Sequence, residues 1–207
     1  GKYFTIPKAS IRPRPVTSPH PNAYVATTGS QSTIDLAAKF GIPFYVAYRG
    51  RKHFSEIKDR YKKAAISHGH TAGDADATLR GTAVMQTSYL APTNEESYEE
   101  AKPVVQQFSK SVDSVNFPED LHSWPPGLQK IVQQNYKHPG GRGYQDYHGY
   151  WNAFIYGDTD RGLERVQHLK DSGVENILIG FSFGGMPYAR VRRSMELFAE
   201  KVIPRFR

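Results

Sequence analysis

Short apolar segments alternate with amphipathic helical patterns along most of this chain, and that alternation constrains the fold more than any other feature. The segment from Ile42 to Tyr48 is almost continuously apolar, which is typical of a strand in a sheet that is covered on both faces. Strands and helices in strict succession indicate an α/β fold with a parallel sheet and right-handed crossovers. Four strands are predicted, at residues 23–27, 42–48, 79–90 and 176–181.

Helices are predicted between and after these strands, where apolar positions recur every three or four residues. One of them begins near Thr93, because Thr93 and Glu96 have the spacing of a capping box. Pro103 lies inside its apolar stripe, so we expect either a kink or a later start of this helix. The other helices are predicted at residues 32–40, 52–68, 159–172 and 188–203, the last two ended by Gly173 and Pro204.

Two segments depart from this alternation. Residues 1–21 contain five prolines and are therefore expected to form an extended arm. Residues 113–151 are long, irregular and rich in aromatic side chains, and long loops in compact domains are usually functional or disordered. The aromatic content favours a lid or a partner surface over a flexible linker. We expect one unit over residues 1–207, with residues 113–151 as a loop insertion or lid within it.

The composition narrows the classes of protein to which the chain can belong. Lys and Arg total 27 against 20 Asp and Glu, a formal net charge of +7, but the basic residues are scattered. Scattered charge attracts anions without forming a nucleic-acid reading module, so no nucleic-acid partner is expected. The absence of cysteine excludes disulfides and thiolate chemistry, and no apolar run reaches the roughly 20 residues of a membrane span. A soluble cytoplasmic protein without a membrane partner is expected.

Histidine is plentiful, with eight residues, but only His68 and His70 are close together in the sequence. This pair lies where a helix is expected to end, a position at which His favours the helix dipole. Metal sites need several converging ligands, so no metal is predicted.

A run of polar side chains, most of them hydroxyls, connects the first predicted strand to the first predicted helix, from Thr27 to Thr33. The free N–H groups and positive end of a helix make such a turn an anion site, to which Ser and Thr hydroxyls add donors. Ser and Thr are also favoured helix caps whether or not a ligand is bound. The residues alone therefore leave two interpretations, a phosphate site and ordinary capping.

The pentapeptide from Gly180 to Gly184 matches the G-x-S-x-G pattern of a nucleophile elbow and lies between a predicted strand and a predicted helix. In α/β-hydrolases the acid and the histidine follow the nucleophile along the chain. Beyond Ser182 there is no His or Asp, and the only acids are Glu196 and Glu200 on a predicted helix. A hydrolase with Ser182 as nucleophile is therefore a less favoured alternative.

Four segments carry a resemblance to a known family. They are the proline-rich lead-in (residues 1–21), the strand, turn and helix of residues 26–41, the turn at 156–159, and the C-terminal helix of residues 194–204. Together they resemble the bacterial luciferase-like flavin monooxygenase family, although the turn at 156–159 lacks the usual proline of that family. The resemblance covers the chain except residues 113–151.

That family folds as a (β/α)8 barrel of the TIM type, which needs about 250 residues. The resemblance therefore implies that this chain supplies about the second half of a barrel, strands five to eight. In the family, residues at the positions of Ser30 and Thr33 bind the FMN phosphate, and an aromatic residue at the position of Tyr48 lines the flavin pocket. The implied cofactor-binding set is Thr28, Gly29, Ser30, Gln31, Thr33 and Tyr48. No catalytic residue is assigned, because other phosphate-binding residues and the catalytic residues of the family lie in the other half of the barrel.

The resemblance further implies a monooxygenase that uses reduced FMN and O2 to oxygenate a small organic substrate. A flavin reductase as partner and a homodimer of the complete protein are implied in the same way. Some members use a deazaflavin, so a non-catalytic or deazaflavin-binding relative is the alternative. With four strands, this chain alone is expected to be inactive, with apolar residues such as Phe44, Val46 and Ile177 facing an open barrel interior.

Overall fold

The computed structural model describes residues 3–10, 12–18, 21–47, 50–116, 121–130 and 147–206. Its strands are β1 (Val25–Thr27), β2 (Phe44–Ala47), β3 (Ala83–Leu90), β4 (Ile155–Gly157) and β5 (Asn176–Gly180). They alternate with the helices α1 (Gln31–Lys39), α2 (Arg51–Ser67), α3 (Ala72–Arg80), α4 (Asn94–Asn116), α5 (Tyr147–Ala153), α6 (Thr159–Asp171) and α7 (Tyr188–Leu197). Within the described ranges, every helix is too short or too polar to cross a bilayer. The predicted α/β alternation is confirmed.

The sheet is parallel throughout, and β3 lies at its centre. The first three residues of β3 pair with β2, and Ala83 to Thr87 pair with β5. The last three residues of β3 pair with the short strand β4, and β1 pairs with β2. Because all the strands run the same way, their carboxyl ends meet at one edge of the sheet, where the turns that follow them lie together.

One face of the sheet packs against the helices. Phe44 and Val46 of β2 belong to this core and are 0% and 1% exposed, and Ile177 of β5 packs against it. On the opposite face, Met85 and Leu178 lie in register and are 45% and 44% exposed. The expectation that Phe44, Val46 and Ile177 face an open interior is therefore wrong, because alternate residues of a strand point to opposite faces. The opposite side, called the open face below, carries Ala26, Tyr45, Ala47, Met85 and Leu178.

Helix α3 was not predicted, and it displaces the start of the third strand. Leu79, which was expected to begin that strand, is a buried residue of α3, and β3 begins at Ala83. A capping box starts the helix: the Thr71 hydroxyl accepts from the N–H of Asp74, and the Asp74 carboxylate accepts from the N–H of Thr71. A hydrogen bond from the Thr71 hydroxyl to the Asp74 carboxylate, followed by the bond from the Thr71 N–H, holds the pKa of Asp74 below its ordinary value. Leu79 is the one large apolar side chain of this helix, so no apolar stripe marks it in the sequence.

Helix α4 begins at Asn94, directly after Thr93, as the capping pattern predicts, and it continues through Pro103 without the later start that the proline allowed. Two other local features differ from the prediction. Tyr156 and Gly157, which were predicted as part of a turn, belong with Ile155 to the buried strand β4. After α7 the backbone changes to a π-helical turn (Phe198–Val202) and a 3-10 turn (Ile203–Arg205) that contains Pro204, so the predicted last helix is three successive forms.

The segment 113–151 lies partly outside the described residues, and both of its described ends are helical. Helix α4 extends to Asn116, and α5 occupies residues from Tyr147 onwards. The Tyr147 hydroxyl donates to the carbonyl of Tyr98 at 2.7 Å, and Trp151 packs edge-on against the Tyr98 ring at 5.1 Å. These two aromatic residues are therefore buried against α4. A lid formed by the rest of the segment stays a prediction.

The loop after β5 packs closely on α4 at Gly184. This glycine has φ of +56°, and a Cβ atom there would lie 2.3 Å from the carbonyl oxygen of Val104. The next residue, Gly185, has φ of +79° but no atom within 4 Å of its would-be Cβ. The second glycine of the G-x-S-x-G pattern is thus required by helix packing.

We expect Gly184→Ala to destabilise the fold by about 2–5 kcal/mol, since it combines a left-handed backbone cost of about 1–2 kcal/mol with an overpacking cost of about 1–3 kcal/mol. Gly185→Ala is the matched control and should lose only the backbone part, about 1–2 kcal/mol. Urea unfolding of both variants measures the difference. Equal losses would contradict the close approach to α4.

Candidate functional site

The predicted anion turn connects the carboxyl end of β1 to the start of α1. Gly29 has φ of +96°, a conformation that glycine adopts without steric cost. Its N–H donates to the Thr27 hydroxyl at 3.0 Å, which closes a tight turn. Thr28, Ser30 and Gln31 are exposed around this turn, whereas Thr33 is half-buried. The structure therefore brings five of the six predicted cofactor-binding residues together.

Ser30 is the N-cap residue of α1, yet its side chain makes no capping hydrogen bond. The Ser30 hydroxyl instead donates to the Thr33 hydroxyl at 2.7 Å. The first turn of α1 also contains no acidic residue. The N–H groups that begin a helix have no partners inside the helix, so this end presents free donors and a positive dipole. The Ser30 side chain therefore does not cap α1, and an anion site at this turn stays a prediction.

Helix α2 supports the turn from behind. A Cβ atom on Gly29 would lie 2.9 Å from Cδ1 of Ile57, the terminal carbon of that side chain, so a larger residue would have to displace Ile57 as well as adopt a φ of +96°. One turn further along α2, Nη1 of Arg60 donates to the carbonyl oxygen of Gly29 at 2.9 Å. Arg60 is half-buried and was not singled out in the sequence. No local signal identifies it, because the two residues are 31 positions apart.

Tyr48, the sixth predicted residue, lies outside the described residues, and its role at the flavin ring stays a prediction. The strand that precedes it is confirmed as β2. Tyr45 of that strand lies on the open face and stacks on Tyr24, with ring centroids 4.6 Å apart. The open face beside the turn is therefore lined partly by aromatic rings.

A second polar cluster lies at the carboxyl end of β3, between α4 and α7. The buried Tyr89 hydroxyl donates to Glu100, and Arg193 contacts both Tyr89 and Glu100. Burial, followed by the hydrogen bond to Glu100, raises the pKa of Tyr89 to about 12. Tyr89 therefore keeps its proton at neutral pH and acts as a donor. Arg193 also pairs with Glu96, so the cluster fastens α7 to α4.

Ser182 does not have the geometry of a nucleophile elbow. It is exposed, and within the described parts of the chain no residue other than glycine has a positive φ. The strained backbone that presents an elbow serine is therefore not found there. Helix α7 begins only at Tyr188, well beyond Ser182, rather than directly after the serine. These features disfavour the hydrolase alternative.

His68 and His70 fasten the end of α2 to α1. Nε2 of His68 lies 3.2 Å from a carboxylate oxygen of Asp35, and Nε2 of His70 lies 3.1 Å from the carbonyl oxygen of Lys39. This close pair therefore has structural partners on the neighbouring helix.

Comparison with known proteins agrees with this architecture. The family model for luciferase-like monooxygenases matches residues 1–176. The alkanal monooxygenase alpha chain of Photobacterium leiognathi is 22% identical over 99% of this chain and 57% of its own length. Among solved structures, monooxygenase RslO1 from Streptomyces bottropensis has a TM-score of 0.65 at 18% identity, covering 95% of this chain and 51% of that one.

A second solved structure is similar at a lower TM-score. It is the oxygenating constituent of 3,6-diketocamphane monooxygenase from the CAM plasmid of Pseudomonas putida, a type II Baeyer-Villiger monooxygenase in complex with FMN. It has a TM-score of 0.56 at 19% identity, covering 87% of this chain and 47% of that one. Likeness at these identities shows the fold, and this chain spans about half the length of the relatives it matches. Since the family model covers most of the sequence, the chain belongs to the luciferase-like monooxygenase family.

Proposed function

We propose that this chain is part of a flavin-dependent monooxygenase, in which its sheet supplies strands five to eight of a (β/α)8 barrel. Membership of the luciferase-like family supports the activity. The strand order β1, β2, β3, β5 supports the place in the barrel, because the outer strands each pair with one neighbour among the described strands. The exposed apolar residues of the open face support it further, since the interior of a closed barrel is filled with side chains.

The uncapped start of α1 is the observation that carries the cofactor assignment. A dianionic phosphate suits a positive helix end with free N–H groups, and the paired hydroxyls of Ser30 and Thr33 add donors beside it. Gly29 has no Cβ, so the backbone can approach the phosphate closely. Thr28 and Gln31 adjoin the same turn, and Tyr48 completes the proposed FMN site. The turn would recognise the phosphate rather than the flavin ring. It would therefore not distinguish FMN from a phosphate-bearing deazaflavin, and both are included in the binding experiment below.

Bound reduced flavin supplies the electrons with which O2 is reduced, while one oxygen atom passes to the organic substrate. The residues of this chain bind and orient the cofactor. Ser30 and Thr33 hold its phosphate, and the apolar side chains of Tyr45, Met85 and Leu178 exclude water from the barrel interior once the barrel is closed. We further propose that the substrate is a small organic molecule and that a separate flavin reductase supplies the reduced flavin. The complete protein is proposed to be a cytoplasmic homodimer. The family resemblance supports these assignments.

A chain limited to these 207 residues should self-associate or pair with a complementary half and show no turnover, because the open face leaves Met85 and Leu178 in water. The double change Met85→Lys and Leu178→Lys should raise its monomer fraction, as measured by light scattering during size-exclusion chromatography. Ile66→Lys is the control, since Ile66 is 54% exposed on the outer helix α2. A monomeric, cooperatively folded chain with turnover would refute the proposed half-barrel.

The double change Ser30→Ala and Thr33→Ala should weaken FMN binding to the full-length protein by on the order of tenfold to a thousandfold. Each hydroxyl would otherwise donate a hydrogen bond to a charged oxygen, worth roughly 1.5–3 kcal/mol. Riboflavin has no phosphate, so its affinity should stay nearly unchanged. Isothermal titration with FMN, riboflavin and a phosphate-bearing deazaflavin measures these affinities.

Ser32→Ala is the matched control for that experiment, because Ser32 is an exposed hydroxyl in the same turn of α1 but outside the Ser30–Thr33 pair. It should leave FMN binding within about twofold, well below the effect of a lost hydrogen bond to a charged group. If the double change lowers FMN and riboflavin affinities by the same factor, the hydroxyls act only on the stability of the helix, and the phosphate assignment is wrong.

A further inference from the structure

We propose that Arg60 is a positioning residue that orients the backbone of the anion turn, a role that rests on the proposed flavin-phosphate site. Arg60 lies on α2 and does not belong to the turn itself. Its Nη1 donates to the carbonyl oxygen of Gly29 at 2.9 Å, in a partly buried contact. Arg60 thereby joins a rigid 17-residue helix to the least constrained residue of the turn.

The direction of one peptide group is the link between Arg60 and the anion. The carbonyl of Gly29 and the N–H of Ser30 belong to the same planar trans peptide, in which the C=O and N–H bonds point in opposite directions. Because the guanidinium of Arg60 draws the carbonyl towards α2, the N–H of Ser30 points away from α2. That N–H is therefore presented at the open start of α1, beside the hydroxyls of Ser30 and Thr33.

The turn needs this restraint because glycine resists rotation less than any other residue. The N–H of Gly29 donates a hydrogen bond to the Thr27 hydroxyl at 3.0 Å, and Ile57 of α2 limits how closely the turn can approach the helix. Neither contact fixes the carbonyl direction. The hydrogen bond from Arg60 fixes this direction. Because the N–H of Ser30 is then oriented before the anion binds, binding avoids the entropic cost of ordering it. Ser30 makes no side-chain cap that would hold the turn in its place.

The hydrogen bond of Arg60, rather than its charge alone, is inferred to act. The other contact of its guanidinium, from Nε to the carbonyl of Glu56 within α2, is long at 3.4 Å. Changing Arg60 to Lys keeps an N–H donor that reaches nearly as far, and changing it to Met removes both the donor and the charge. The exposed Lys63 on the same helix gives a matched control for charge, since Lys63→Met removes one positive charge without a contact to the turn.

The experiment measures FMN and riboflavin affinities of the full-length protein by isothermal titration, with thermal unfolding of each variant. Arg60→Met should weaken FMN binding about tenfold and leave riboflavin binding within about twofold, whereas Arg60→Lys should stay within about threefold of the parent for FMN. Lys63→Met should change neither affinity. An equal loss for both flavins, no loss for FMN, or an equal FMN loss in the Lys and Met variants would overturn the proposal.

The Ser30→Ala and Thr33→Ala double change is measured in the same series to separate the two ideas. If the double change weakens the binding of FMN but not of riboflavin, while Arg60→Met does not, the phosphate site is supported and the positioning role is wrong. If it has no selective effect, both fall. The amide proton resonance of Ser30 in the unsubstituted protein gives a readout that needs no variant: it should move downfield on adding FMN and stay in place on adding riboflavin. An unmoved resonance with FMN would overturn the positioning role.

Discussion

The backbone pairing of β3 on both of its edges is the constraint on which the rest of the structure depends. Its first residues are held between β2 and β5, and its last three residues hold β4. Since every pair is parallel, the turn after β1, the cluster around Tyr89 and the loop around Gly184 all lie towards the carboxyl edge of the sheet. The position of the candidate site therefore follows from the direction of the strands and does not depend on contacts between its side chains.

The two faces of this sheet have opposite consequences. The helix face is closed, with residues such as Phe44 and Val84 fully buried. The open face leaves Met85 and Leu178 nearly half exposed, although burying such a side chain contributes roughly 1.5–3 kcal/mol. Covering the open face would therefore offer a driving force for closing the proposed barrel, and the same closure would exclude water from the proposed flavin site beside the Gly29 turn.

Local patterns predicted the elements whose signal lies within the element itself. The apolar run that became β2, the periodic stripe that became α2 and the glycine after α6 were each recognised from neighbouring residues. Helix α3 was missed because Leu79 is its one large apolar side chain, and strand β4 was missed because two of its three residues were assigned to a turn. The expected direction of Phe44 and Val46 was also wrong, because a continuous apolar strand does not reveal which face meets the helices.

The sequence by itself determined the α/β class, the family resemblance and the glycine and hydroxyl turn before α1, since each is written in consecutive residues. It left the choice between capping and anion binding open. Only the tertiary structure decided that the Ser30 hydroxyl turns to Thr33 rather than to the backbone, and that Arg60 reaches the carbonyl of Gly29. The contact of Arg60 depends on how α2 packs beside the turn, and packing between distant segments leaves no periodic pattern in either segment.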